Sequence, residues 1–166
     1  MPHIPARIIG HEAAHALVAH HVGLRVVEMS ITPTNAKDSD DPTCIANGCV
    51  TTTFHRGDIA TFLRALHAGR ATCDEAVGMM AVFLAGPIAQ GSGSGGKSDR
   101  GKAEAIAYQY AKKDANVAHA ILALARRRAE SLVKAYRPAI KKLSRALSEK
   151  KTLSGGELQR MLRAAS

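Results

Sequence analysis

Apolar residues recur at helical spacing over most of the chain, and a period of two is confined to one short region. Residues 4–22 carry apolar positions on one helical face, and Gly23 is a typical end of a helix. Residues 25–32 (RVVEMSIT) and 49–54 (CVTTTF) are partly alternating and rich in β-branched side chains, which favours strands. We therefore predict a helix and then a small antiparallel pair of strands, separated by a polar surface loop at residues 34–43.

The middle of the chain shows two further helical segments. Asp58 can cap a helix that ends near His67, and Thr72 can cap a second one. That second helix contains an apolar run at residues 79–89, so we expect it to be buried nearly all round. Residues 91–98 (GSGSGGKS) form the one low-complexity stretch of the sequence, which predicts a flexible loop within a single domain.

The last third of the chain is strongly amphipathic. We predict a helix over residues 102–113 and a long helical stretch over residues 116–147, with Pro138 bending or breaking it. A final short helix begins at Ser154, where Glu157 stands at the position that completes a capping box.

The composition supports the same fold class. Aromatic residues make up 4% of the chain and Trp is absent, so the core must consist of Ala, Leu, Ile and Val. Such a core favours packed helices over a β-sandwich. With 166 residues, one domain spanning residues 1–166 is expected. We predict a mainly α-helical α+β fold, with the first helix beside the small antiparallel sheet and a helical bundle after it.

Neither membrane insertion nor secretion is indicated by the sequence. The longest nearly apolar run, residues 79–89, is shorter than the roughly 20 residues that cross a bilayer. The first ten residues (MPHIPARIIG) contain no apolar stretch of the secretory type. The three cysteines (Cys44, Cys49 and Cys73) form no CxxC pair, and an odd number argues against a disulfide framework. We expect a cytoplasmic protein with no membrane segment.

Positive charge is concentrated in the second half of the chain. The formal net charge is +9, and residues 97–166 hold 17 Lys and Arg against 6 Asp and Glu. A basic half is compatible with binding to nucleic acid, which would weaken steeply with salt. Because such charge blocks are common on exposed helices, we expect a solvated face and do not expect nucleic acid as a partner.

One motif in the first helix points to metal chemistry. Residues 11–15 (HEAAH) match the HExxH motif, in which His11 and His15 are the two histidines. Residues i and i+4 share one face of a helix. Both imidazoles can therefore reach one zinc ion, which binds His nitrogens at about 2.0–2.1 Å. Glu12 would lie beside the ion, where it can take a proton from a water whose pKa zinc lowers to about 7. The motif predicts a zinc-dependent hydrolase with Glu12 as its general base.

Two histidines and a water leave one protein ligand to be identified. His20 and His21 follow the motif too closely and lie near the helix end, where we expect them to be exposed. The downstream candidates are His55, His67, Asp74, Glu75, Asp99, Glu104 and His119. Spacing alone does not choose among them.

Several segments, in the same order, resemble the peptidase domain of the FtsH family of membrane-bound AAA zinc proteases. Residues 11–19 (HEAAHALVA) resemble the family's HEAGHALVA segment, and a strand ending in ITP follows in both. Residues 94–99 (SGGKSD) are similar to TGAxND, and residues 143–155 (LSRALSEKKTLSG) to LAxxLLExETLxG. The resemblance extends over residues 8–162. It implies that Asp99, at the position of the family's third zinc ligand, binds the ion with His11 and His15.

The resemblance also implies an activity and partners. It implies a zinc-dependent metalloendopeptidase that hydrolyses unfolded proteins or peptides, with the substrate added as a strand at the sheet edge, to which residues 49–54 would contribute. The family forms hexameric rings, so a homo-oligomer is expected by analogy. Because the sequence has no Walker A motif, any unfolding of substrates would need a separate ATPase partner.

The sequence departs from the family pattern at three positions. Ala14 replaces a glycine within the motif, which suits a helix because Ala is the better helix former. The family's GGRAAEE segment resembles residues 85–90 (AGPIAQ), so the family's acidic residue near the zinc histidines is either replaced by Gln90 or lost, and Pro87 falls within a helix. A carboxylate that orients a ligating histidine tunes the metal. The alternative is therefore a catalytically retired peptidase-like module that binds or regulates.

Overall fold

The computed structural model describes residues 6–31, 44–46, 51–91 and 97–165, which contain seven helices and four strands. The helices are α1 (Ala6–His21), α2 (Arg56–His67), α3 (Cys73–Gln90), α4 (Lys97–Tyr110), α5 (Ala115–Ala135), α6 (Arg137–Lys150) and α7 (Gly155–Arg163). The strands are β1 (Val26–Ser30), β2 (Cys44–Ala46), β3 (Thr51–Phe54) and β4 (Thr152–Ser154). The predicted mainly helical α+β fold is confirmed. The predicted polar loop at residues 34–43 lies outside the described residues.

The sheet has four strands in the order β2-β3-β1-β4, and every neighbouring pair is antiparallel. The expectation of a two-stranded pair was therefore incomplete. Strand β4 was missed because three residues are too few to show alternation. Strand β3 pairs with both β1 and β2, so residues 51–54 do not form a sheet edge for an added substrate strand. That expectation is wrong, and the described edges are β2 and β4.

Helix α3 is the centre of the helical layer. It packs against α1, α4 and α5, and its residues from Ala76 to Phe83 are all buried. Thr72 caps it as predicted: its side chain accepts a hydrogen bond from the Glu75 backbone N–H, and the Glu75 carboxylate accepts one from the Thr72 backbone N–H. Pro87 lies in the last turn and does not interrupt the helix, because there it removes a single backbone hydrogen bond.

Three predicted boundaries differ in the structure. Helix α2 begins before Asp58, whose carboxylate instead accepts a hydrogen bond from the Arg25 backbone N–H at 3.0 Å. Helix α4 begins at Lys97 rather than Lys102, and it ends before Lys113, where the backbone has a positive φ of 71°. The start of α4 was placed too late because residues 91–98 have the low-complexity composition of a loop.

The long C-terminal stretch divides at Tyr136, two residues before Pro138. Proline is accommodated in the first turn of a helix, so α6 starts around it and the break falls earlier in the sequence. Ser154 does precede α7, but its side chain forms no cap hydrogen bond, and Glu157 pairs with Lys150 instead. The predicted capping box is therefore wrong. None of the described helices combines the length and apolar character needed to cross a membrane.

Candidate metal centre

Two elements distant in the sequence bring three potential ligands together. Helix α1 carries His11 and His15 on its buried face, and the first turn of α4 carries Asp99. The Asp99 Oδ2 atom lies 3.0 Å from His11 Nε2 and 3.6 Å from His15 Nε2. The two Nε2 atoms lie 2.9 Å apart. The structure thus brings together the three ligands that the motif and the resemblance predicted.

The other downstream candidates lie elsewhere and have their own environments. His55 is 3.3 Å from the Asp58 carboxylate, Asp74 pairs with Arg128 at 2.6 Å, and Glu75 belongs to the cap of α3. The remaining three candidates are exposed: His67, Glu104 and His119.

The histidines at the end of α1 were expected to be exposed. The structure instead leaves His20 and His21 half-buried, and the His21 ring stacks on Tyr136 with centroids 4.0 Å apart. Burial lowers the pKa of both histidines, and neither lies among the ligand atoms of the centre.

The geometry of the three atoms fits a single metal ion. Tetrahedral ligands at about 2.0–2.1 Å from an ion lie about 3.3–3.4 Å from one another. The observed separations of 2.9, 3.0 and 3.6 Å scatter around that value. Space is kept open by Gly86 of α3, because a Cβ there would lie 2.4 Å from His15 Nε2 and 2.5 Å from His11 Nε2. Two imidazoles and one carboxylate form a donor set that suits a divalent transition metal.

Helix α3 also fixes the tautomer of His15. The Nδ1 atom of His15 lies 2.6 Å from the backbone carbonyl oxygen of Val82, which can only accept, so Nδ1 carries the proton. The Nε2 lone pair then points at the centre, as a ligand requires. Burial lowers the pKa of His15, which favours its neutral form.

The carboxylate of Asp99 is held ionised. Burial works to raise its pKa, but the close contacts of its carboxylate with the His11 and His15 rings outweigh burial, so the pKa lies well below its ordinary value. A buried carboxylate that stays charged next to two imidazoles is a ready ligand for a cation.

Glu12 lies next to the centre in a completely buried position. The Thr52 hydroxyl from β3 donates to Glu12 Oε2 at 3.1 Å, whereas Oε1 has no hydrogen-bond partner among the described residues. Burial, together with the charge of Asp99, raises the pKa of Glu12 well above its ordinary value. The side chain therefore has one anchored oxygen and one buried oxygen whose hydrogen-bonding capacity is unused among the described residues.

The support around His11 is less complete. Its Nδ1 atom is buried and has no hydrogen-bond partner in the part of the chain that the structure describes. Gln90, which the resemblance compares with an acidic position of the family, is half-buried in the last turn of α3. No hydrogen bond between Gln90 and His11 is found among the described residues.

Three residues at the centre were not identified from the sequence. Thr52 and Val82 belong to no motif, and Gly86 lies in the segment compared with GGRAAEE but was given no role there; their roles follow from distances across elements. No protein-family model and no curated protein matches the chain. The case for a function therefore depends on the residues of the centre and on their geometry.

Proposed function

We propose that this protein is a zinc-dependent metalloendopeptidase acting on unfolded protein or peptide substrates. The observation that carries the proposal is the convergence of His11, His15 and Asp99, whose ligand atoms all lie within 4.8 Å of one another, beside the buried carboxylate of Glu12. The resemblance to the FtsH-type peptidase domain supports the same assignment of three ligands and one base.

The ion would be held by His11, His15 and Asp99. When bound, zinc supplies a Lewis acid that polarises a carbonyl and lowers the pKa of a water to about 7. Glu12 supplies the proton transfer: its Oε1 atom takes a proton from the attacking water and delivers it to the departing amide nitrogen. One water is consumed, the C–N bond breaks, and a carboxylate and an amine leave.

The working context of the enzyme belongs to the same proposal. The enzyme would work in the cytoplasm, on chains that are already unfolded or that an ATPase delivers to it. By analogy with the family, the active form would be a homo-oligomer arranged as a hexameric ring.

A retired peptidase-like module is the second candidate. It is favoured by the Nδ1 atom of His11, which has no hydrogen-bond partner among the described residues, and by Gln90, since loss of a partner to a ligating histidine typically costs about 10–100-fold in metal affinity or activity. Full zinc occupancy without cleavage of any unfolded protein would favour this module over the enzyme.

The deciding experiment measures zinc content and casein cleavage together. We expect stoichiometric zinc in the wild type and in Glu12→Gln, a large loss of zinc in Asp99→Ala, and cleavage by the wild type only. The exposed Glu104→Ala on the same helix is the matched control and should behave as the wild type. Absence of zinc from every variant after reconstitution would overturn the proposal.

A further inference from the structure

Strand β3, which lies between β2 and β1 in the sheet, contains three consecutive threonines at residues 51–53. Thr52, the middle one, is completely buried and pairs with Met29 of β1 and Ile45 of β2. Its hydroxyl lies 3.1 Å from Glu12 Oε2 and 3.3 Å from the Glu12 carbonyl oxygen. Both neighbours are acceptors when the carboxylate is ionised, so the hydroxyl is the donor.

This contact restricts a side chain that would otherwise rotate. The terminal torsion of a glutamate is broad, so a carboxylate without partners samples many orientations. Thr52 is a stiff donor, because its β-branched side chain has restricted rotamers and its strand is hydrogen-bonded on both sides. Holding Oε2 leaves Oε1, which has no partner among the described residues, in one defined direction.

We propose that Thr52 is a positioning residue that sets the orientation of Glu12 for proton transfer. The inference rests on the proposed peptidase function and adds to it a residue outside the HExxH motif. Because Thr52 touches Glu12 and none of the three ligand atoms, its effect should fall on turnover rather than on metal binding.

The threonine run provides matched variants. Thr52→Val replaces the hydroxyl by a methyl group of similar size and suits a strand, whereas Thr52→Ser keeps a hydroxyl. Thr53→Val is the control, because successive side chains point to opposite faces of the sheet and Thr53 is only half-buried. If Thr52→Val does not fold, Thr52→Ala, which adds no atoms, takes its place.

We expect Thr52→Val to keep its zinc and its KM while kcat falls about 10–100-fold, the range expected when a catalytic group is misplaced. Thr52→Ser should recover most of the lost kcat, and Thr53→Val should match the wild type. In a Glu12→Gln background, Thr52→Val should not lower kcat further, because Thr52 is proposed to act only through the Glu12 carboxylate. An unchanged kcat in Thr52→Val, or an equal loss in Thr53→Val, would overturn the inference.

A measurement without turnover separates this inference from the proposed function. Urea unfolding of the wild type, Thr52→Val, Glu12→Gln and the double variant, all stripped of metal, tests whether the two side chains are coupled. A midpoint shift in the double variant that differs from the sum of the single shifts supports the Thr52–Glu12 link even if no substrate is cleaved. Additive shifts would overturn it, whatever the activity.

Discussion

At the scale of single residues, the metal centre depends on one position without a side chain. A Cβ on Gly86 would lie 2.4–2.5 Å from the Nε2 atoms of His11 and His15. It would therefore occupy the space that an ion bound to these atoms would need. The backbone of α3 therefore forms one wall of the centre.

We predict that Gly86→Ala weakens zinc binding by about 100-fold or more, because the new methyl group competes directly with the ion. Isothermal titration with zinc measures the loss. Gly101→Ala is the control: Gly101 is exposed in α4 and a Cβ there would meet open space, so this change should raise stability by about 0.5–1 kcal/mol and leave zinc binding intact. Unaltered zinc affinity in Gly86→Ala would contradict the geometry of the centre.

Glu12 predicts an unusual pH dependence of stability. Burial raises the pKa of Glu12 in the folded protein above its unfolded value, so its contribution to stability is complete below about pH 4.3 and is lost as the pH rises through the folded pKa. Glu12→Gln does not ionise. In EDTA it should exceed the wild type in stability by about 1–3 kcal/mol at pH 8, with the difference shrinking towards about pH 4.5.

Urea unfolding at three pH values measures this difference, with the exposed Glu104→Gln as a control for the substitution itself. A Glu12→Gln advantage that grows as the pH falls would have the opposite sign and would refute the role of burial.

The residues of the candidate centre were identified from the sequence where a motif or a resemblance exists, and they were missed where a role depends on distance alone. His11, Glu12 and His15 follow from the HExxH pattern, and Asp99 was selected from seven candidates by resemblance rather than by spacing. Thr52 lies 40 positions from Glu12, and Gly86 is one of 14 glycines. Neither carries a local signal of its contact with the centre.

At the scale of elements, two helix starts offer a direct comparison of capping. Thr72 forms both hydrogen bonds of a capping box at the start of α3, whereas Ser154 stands before α7 without a side-chain cap hydrogen bond. The same sequence pattern therefore gave one correct and one wrong prediction, because Lys150 competes for Glu157.

We predict that Thr72→Ala lowers the free energy of unfolding by about 1 kcal/mol, since the backbone N–H of Glu75 loses its acceptor. Ser154→Ala should change it by less than about 0.5 kcal/mol, because no cap bond is lost. Urea unfolding of both variants provides the comparison. Equal losses would mean that the capping box at Thr72 does not form in solution.

At the scale of the whole molecule, the net charge of +9 is concentrated in the second half of the chain. Helix α6 has Arg137, Lys141 and Arg145 at successive i,i+4 positions, all exposed and without an ion-pair partner among the described residues. Like charges at this spacing destabilise a helix by a few tenths of a kcal/mol per pair. Salt should therefore stabilise this protein.

We predict that Lys141→Glu stabilises the fold by about 0.5–1 kcal/mol in about 20 mM NaCl, because two repulsive pairs become attractive. The gain should shrink in about 500 mM NaCl through screening. Arg126→Glu is a control with the opposite expected sign, because it replaces the ion pair with Glu130 by a repulsive pair and should destabilise the fold. A Lys141→Glu effect that is independent of salt would show that charge crowding is not its cause.

The separation of the ligands along the chain has a consequence for the rate of metal exchange. His11 and Asp99 are 88 positions apart, so an ion bound to both closes a long loop of the polypeptide. All three candidate ligands are buried, so we expect that a bound ion would leave when α1 and α4 move apart. Capture of zinc by an excess of chelator should then proceed at a rate that does not depend on the chelator concentration. That rate would equal the rate constant at which the protein opens.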